Sequence, residues 1–140
     1  MRRPLAAVAV TVAVVALLAG CGGGSATQHG GGQVLQGLVI FYGPVNLPKN
    51  AAVHVTLNDL LAPVGAKPVA QQTIPTKGGA PPYKYQIQYD QKSLAVGSTY
   101  GLSASIRSGA KTLYQTNRPI RIPTTGSPAP AYRLIVEKVG

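Results

Sequence analysis

Acidic side chains are almost missing from this 140-residue chain: Asp59, Asp90 and Glu137 stand against thirteen lysines and arginines. Cysteine occurs once, at Cys21, and histidine twice, at His29 and His54. Each shortage excludes a class of chemistry. Three acids spread along the chain form no visible carboxylate pair, and acid–base or nucleophilic catalysis needs converging groups with tuned pKa values. One thiol, two separated histidines and three scattered acids do not supply several metal ligands at workable spacing. The P-loop, the dinucleotide fingerprint and the GxSxG elbow are missing as well. The sequence thus reads as that of a non-enzyme with no catalytic residue, cofactor or metal. With one cysteine no disulfide closes within the chain, so packing alone must hold the fold.

What the chain does carry begins at its N-terminus. Arg2 and Arg3 precede an apolar run from Leu5 to Ala19 that only Thr11 interrupts. A basic start, an apolar core of roughly 7–15 residues and a small-residue cleavage site describe a secretory signal. Gly20 and Gly22 to Gly24 end the run short of the about 20 apolar residues that span a bilayer, which argues against a retained anchor. Leu18-Ala19-Gly20-Cys21 resembles the lipobox of bacterial lipoproteins. The resemblance implies cleavage between Gly20 and Cys21, and a diacylglyceryl group on Cys21. Cleavage without a lipid would leave an odd exported thiol. Residues 1–20 are therefore read as a lipoprotein signal peptide and 21–33 as a Gly-rich tether. Such linkers behave as coils, here with a reach of about 20 Å. His29 is solvated filler within it. Two acyl chains suffice for stable attachment, so the partner expected first is a membrane, reached through acylated Cys21. Gly22, rather than aspartate, follows the cysteine and favours the outer membrane if the cell has one.

Loss of Arg2 and Arg3 with the signal leaves eleven basic residues against three acidic ones, a net charge of +8. A basic surface invites an anionic partner, or serves solubility alone. An exported chain rarely meets nucleic acid, so anionic lipid headgroups, lipopolysaccharide phosphates or an acidic protein segment are the available partners. Arg107, Lys111, Arg118 and Arg121 form a candidate anion-binding patch, since arginine's planar fork suits phosphate and carboxylate. A solvated strand face is the plainer reading.

Residues 34–140 make one domain dominated by two-residue alternation, the pattern of a half-buried strand. Strands are predicted at Gln33–Tyr42, Ala52–Leu60, Lys67–Thr76, Pro82–Asp90, Ser98–Arg107, Lys111–Asn117 and Tyr132–Val139. In the first, Val34 with Leu38 and Ile40, or Val39 and Phe41, are the inward sets. Val53, Val55 and Leu57 face in from the second, with His54, Thr56 and Asn58 outward. Tyr83, Tyr85, Ile87 and Tyr89 share one face of the fourth, either as core or as a sugar-stacking platform. Tyr100, Leu102, Ala104 and Ile106 face in from the fifth. Pro119–Ile122 extends the sixth past an edge irregularity. About seven short strands joined by Gly/Pro turns read as an all-β antiparallel sandwich.

The order Leu47-Pro48, Val53–Leu57 with Asp59, Ala62-Pro63, Val69-Ala70, Gln72, Ile74, Pro82-Tyr83, Tyr89-Asp90, Tyr100, Ala104 and Ile106 resembles the YbaY-like lipoproteins, grouped with the YscW-type pilotins of type III secretion. The resemblance runs through most of residues 37–139. It implies an immunoglobulin-like β-sandwich without enzymatic activity. In the pilotin branch the lipoprotein binds a secretin subunit and helps carry it to the outer membrane. Two departures stand out: Phe41-Tyr42-Gly43-Pro44-Val45 replaces the charged Glu-Arg segment usual after the first strand, and Asn117 stands where aspartate is common. A lipid-anchored binding or assembly factor, in its sharpest version a pilotin-like secretin chaperone, is thus the first expectation. A β-sandwich lipoprotein that binds an anionic envelope glycan or lipid is the alternative.

Overall fold

The computed structural model describes residues 32–44 and 46–140. The signal segment, the Gly20–Cys21 cleavage site and the tether with His29 lie outside the described residues. Among the described residues nine strands follow one another: β1 (Gly32–Ile40), β2 (Ala51–Asp59), β3 (Ala70–Pro75), β4 (Tyr83–Asp90), β5 (Tyr100–Ser108), β6 (Lys111–Gln115), β7 (Ile120–Ile122), β8 (Tyr132–Ile135) and β9 (Glu137–Lys138). A 3-10 turn, Gln91–Ser93, links β4 to the loop before β5, with Leu94 packed against the core. Two sheets form a sandwich. One has the order β4-β1-β8; the other runs β3-β2-β5-β6-β9, with β7 also on β5.

Alternation explains why these segments are strands. Successive side chains point to opposite faces, so β2 buries Ala51, Val53, Val55 and Leu57 while its even-numbered residues stay at the outer surface. In β4 the pattern is strict, with Tyr83, Tyr85, Ile87 and Tyr89 buried and the residues between them exposed. β1 buries Leu35 and Val39, Phe41 just past its end is buried with them, and Val34, Leu38 and Ile40 turn away, which decides between the two inward sets. Fully burying an aliphatic side chain contributes about 1.5–3 kcal/mol. Leu35, Leu57, Leu102, Ile106 and Leu134, each below 2% exposed, therefore dominate the cohesion of the two sheets.

Two details differ from the sequence expectation. Tyr132–Val139 is not one strand: β8 pairs with β1 in parallel, the exception in an otherwise antiparallel fold, and β9 pairs with β6 in the other sheet. Val136 makes the handover, its N–H donating to Ile40 (2.9 Å) before Val139 N–H donates to Leu113 (2.9 Å). The strand count rises to nine because this segment divides and β7 stands as a separate strand. β6 and β7 occupy successive stretches of the same β5 edge, β6 at Ser105–Ser108 and β7 at Tyr100–Leu102.

The tyrosines of β4 serve the core rather than a sugar platform. Tyr85 donates its hydroxyl to the Tyr132 carbonyl across β1 (2.9 Å), whereas the buried Tyr89 hydroxyl has no partner among the described residues. Burial, followed by the neighbouring Tyr132, pushes the pKa of both hydroxyls up. Opposite outcomes are expected on removing them. Tyr85→Phe should cost about 1 kcal/mol in urea unfolding, since it breaks a bond and strands an acceptor. Tyr89→Phe should cost nothing measurable or stabilise slightly, because it deletes an unsatisfied buried group.

Candidate functional site

A concavity of mixed chemistry lies between the β1–β2 connection and the free stretch of β6. It measures about 460 Å³ and is lined by Tyr42, Pro44 and Pro48 on one wall and by Lys111, Leu113 and Tyr114 on the other, with Lys138 at the rim. The Phe41 and Tyr114 rings stack at this wall, centroids 4.5 Å apart and planes 24° from parallel. Phe41 continues the inward alternation of β1 and is buried; Tyr42 follows it and must point out, leaving it 77% exposed. Among the described residues β9 pairs with Tyr114 and Gln115 and leaves the Lys111–Thr112 backbone edge uncovered. No acidic residue lines the groove. Aromatic walls and two ammonium groups suit a segment that combines apolar side chains with carboxylates.

The residues singled out from sequence reach this region unequally. Arg107 and Lys111 sit together at the β5–β6 turn, where the Arg107 guanidinium donates to the Ala110 carbonyl (3.4 Å). Arg121 pairs with Gly101, six positions along β5 from Arg107. At about 3.3 Å per residue that separation is about 20 Å. Arg107 and Arg121 are therefore held apart along β5 rather than opposed on neighbouring strands. Arg118 instead shares a shallow cleft with Arg133, Ile120 and Ile135. Lys111 alone of the four lines the groove. Tyr42, Tyr114 and Lys138 were not singled out as site residues, although Tyr42 and Pro44 of one wall belong to the segment noted as a departure from the family pattern.

Each of the three acids accepts a hydrogen bond from a neighbouring amide while staying at the surface. Asp59 accepts from Leu61 N–H, Asp90 from Lys92 N–H and Glu137 from the Asn117 side chain. Basic groups dominate what a partner meets because they far outnumber the acids. His54 faces Ser105 across the β2–β5 ladder and lies 3.2 Å from the Thr73 hydroxyl, while Asp59 is five residues further along β2. His54, Asp59 and a serine do not converge. Among the described residues no group of three His, Cys, Asp or Glu side chains could hold a metal. No helix there is long and apolar enough to cross a membrane.

Burial, and secondarily the Arg107 charge, hold the His54 pKa below its ordinary value of 6.5. The unfolded chain then binds the proton more readily, so stability falls as pH drops below 6.5 toward the folded-state pKa. His54→Gln should remove this slope between pH 7 and 5 in thermal unfolding. An unchanged slope would show that another group carries it.

The family of type III secretion system lipoprotein chaperones known as YscW matches residues 32–131. The structure of an alternative pilotin from the type II secretion system of Vibrio cholerae is similar, with a TM-score of 0.62 and 27% sequence identity. The likeness covers 77% of this chain and 99% of that one. No curated protein matches.

Proposed function

The chain belongs to the YscW family of type III secretion system lipoprotein chaperones, and from that membership we propose that it is a lipid-anchored envelope protein that binds a secretin subunit and accompanies it to the outer membrane. The likeness to almost the whole length of an alternative pilotin carries this reading. Cys21 supplies the anchor: a diacylglyceryl cysteine brings two acyl chains, enough for stable attachment without a protein span. The groove between Tyr42 and Tyr114 supplies the docking place, and its lysines select a partner segment bearing carboxylates. A chaperone of this kind needs binding and tethering but no chemistry, in keeping with the scattered acids and histidines.

Crosslinking the purified chain within its own envelope extract tests the binding step. A secretin subunit is expected among the crosslinked products. Lys111→Glu combined with Lys138→Glu should lower its recovery by about tenfold, because like charges would then face the partner's carboxylates. Recovery of no secretin by a folded chain would overturn the chaperone reading. Full recovery by the double variant would move the docking place away from the groove.

A further inference from the structure

Two neighbouring loops at one end of the sandwich expose large apolar side chains without packing them. Val64 and Val96 are fully exposed, and Leu61 is 67% exposed. Each valine occupies the second position of a four-residue turn. Ala66 N–H donates to the Pro63 carbonyl (3.1 Å), and Ser98 N–H to the Ala95 carbonyl (3.3 Å). Each is followed by a glycine at positive φ, Gly65 at 89° and Gly97 at 84°. A turn that requires positive φ at its third position takes glycine there, and the preceding side chain is left at the apex. The loops are joined at their base, where Leu60 N–H donates to the Thr99 carbonyl (2.7 Å). Lys67 and Lys92 flank the tips and are exposed. The carboxylates of Asp59 and Asp90 are engaged by the Leu61 and Lys92 amides of the same loops.

The chain enters the fold at this same end. Gly32, the first residue of β1, pairs with Asp90, the last residue of β4 and the start of the second loop. Only residues 22–31 separate Gly32 from Cys21. We propose that the Leu61–Lys67 and Lys92–Gly97 loops seat the domain on an anionic bilayer, with Leu61, Val64 and Val96 entering the interface and Lys67 and Lys92 meeting lipid phosphates. Apolar tips ringed by cations have the composition of an interfacial anchor, and anionic headgroups attract nearby lysines. Acylation of Cys21 would present this end to the bilayer; the seating itself depends on the tips.

The chain lacks tryptophan, so a single introduced indole reports on its surroundings without background. Residues 21–140 carrying Cys21→Ser retain the whole core, which lies within Leu35–Val136. In this chain Val64→Trp and Val96→Trp should shift their emission to the blue on mixed phosphatidylethanolamine–phosphatidylglycerol vesicles. Ala110→Trp, in the turn at the opposite end, should not shift. Val64→Asp with Val96→Asp should lower vesicle cosedimentation by about tenfold, as expected if the apolar area drives insertion. Unshifted tips, or an equal shift at position 110, would overturn the proposal. Tips already blue-shifted in buffer, and reverting on dilution, would assign the loops to a second copy of the chain and overturn it too. Because Cys21 is replaced throughout, failure here leaves acylation and secretin binding standing on their own tests.

Discussion

Gly37→Ala is expected to destabilise the domain by about 3 kcal/mol or more, the upper range for forcing atoms into a packed interior. Gly37 sits in the middle strand of the three-stranded sheet, opposite Tyr85 on β4 and Tyr132 on β8. A Cβ there would press into the Tyr132 carbonyl oxygen and lie 2.7 Å from its carbon and 2.8 Å from its nitrogen. These are backbone atoms and cannot rotate aside. β8 would have to move outward, taking Leu134 and Val136 from positions where they are 0% and 1% exposed. The Tyr85 hydroxyl would lose its Tyr132 acceptor in the same movement. Since small domains are stable by only about 5–15 kcal/mol, the loss should appear as a large fall in the urea midpoint. A change within about 0.5 kcal/mol, the range of neutral surface substitutions, would mean that β8 does not pack on β1 as described.

Cys21→Ser is expected to have the largest effect on function while leaving the domain's stability unchanged. Without a diacylglyceryl group the proposed anchor is lost, and each methylene withdrawn from the bilayer removes about 0.8 kcal/mol of attachment. The protein should leave the membrane fraction, and a bound secretin subunit should no longer be delivered. Weak, salt-sensitive residual attachment would come from the basic loops at the tether end. Undiminished, salt-resistant membrane association of the serine variant would contradict the lipid anchor.

Much of the fold was legible in the sequence because alternation is a local signal. β2, β4 and β5 bury the side chains their patterns mark: Val53, Val55 and Leu57, then the β4 tyrosines, then Leu102, Ala104 and Ile106. The division of Tyr132–Val139 was not legible. All of Tyr132, Leu134 and Val136 keep one inward face, so alternation cannot reveal that pairing passes from β1 to β6 between them. The basic residues show the same limit. Arg118 and Arg121 are neighbours in sequence to Arg107 and Lys111, but β6 and β7 lie end to end along β5, and that register sets Arg107 and Arg121 apart. The groove was missed because its two walls, at Tyr42 and Tyr114, meet only through long-range packing. Its sequence signal was the aromatic Phe41–Val45 segment at the end of β1.

The central proposal, delivery of a secretin by this chain, is tested most directly by deleting its gene and fractionating the envelope while following secretin multimers. The predicted result is loss of multimers from the outer membrane, restored by the native chain but not by Cys21→Ser. Assembly and localisation of every secretin in the deletion strain, unchanged from the parent, would contradict it.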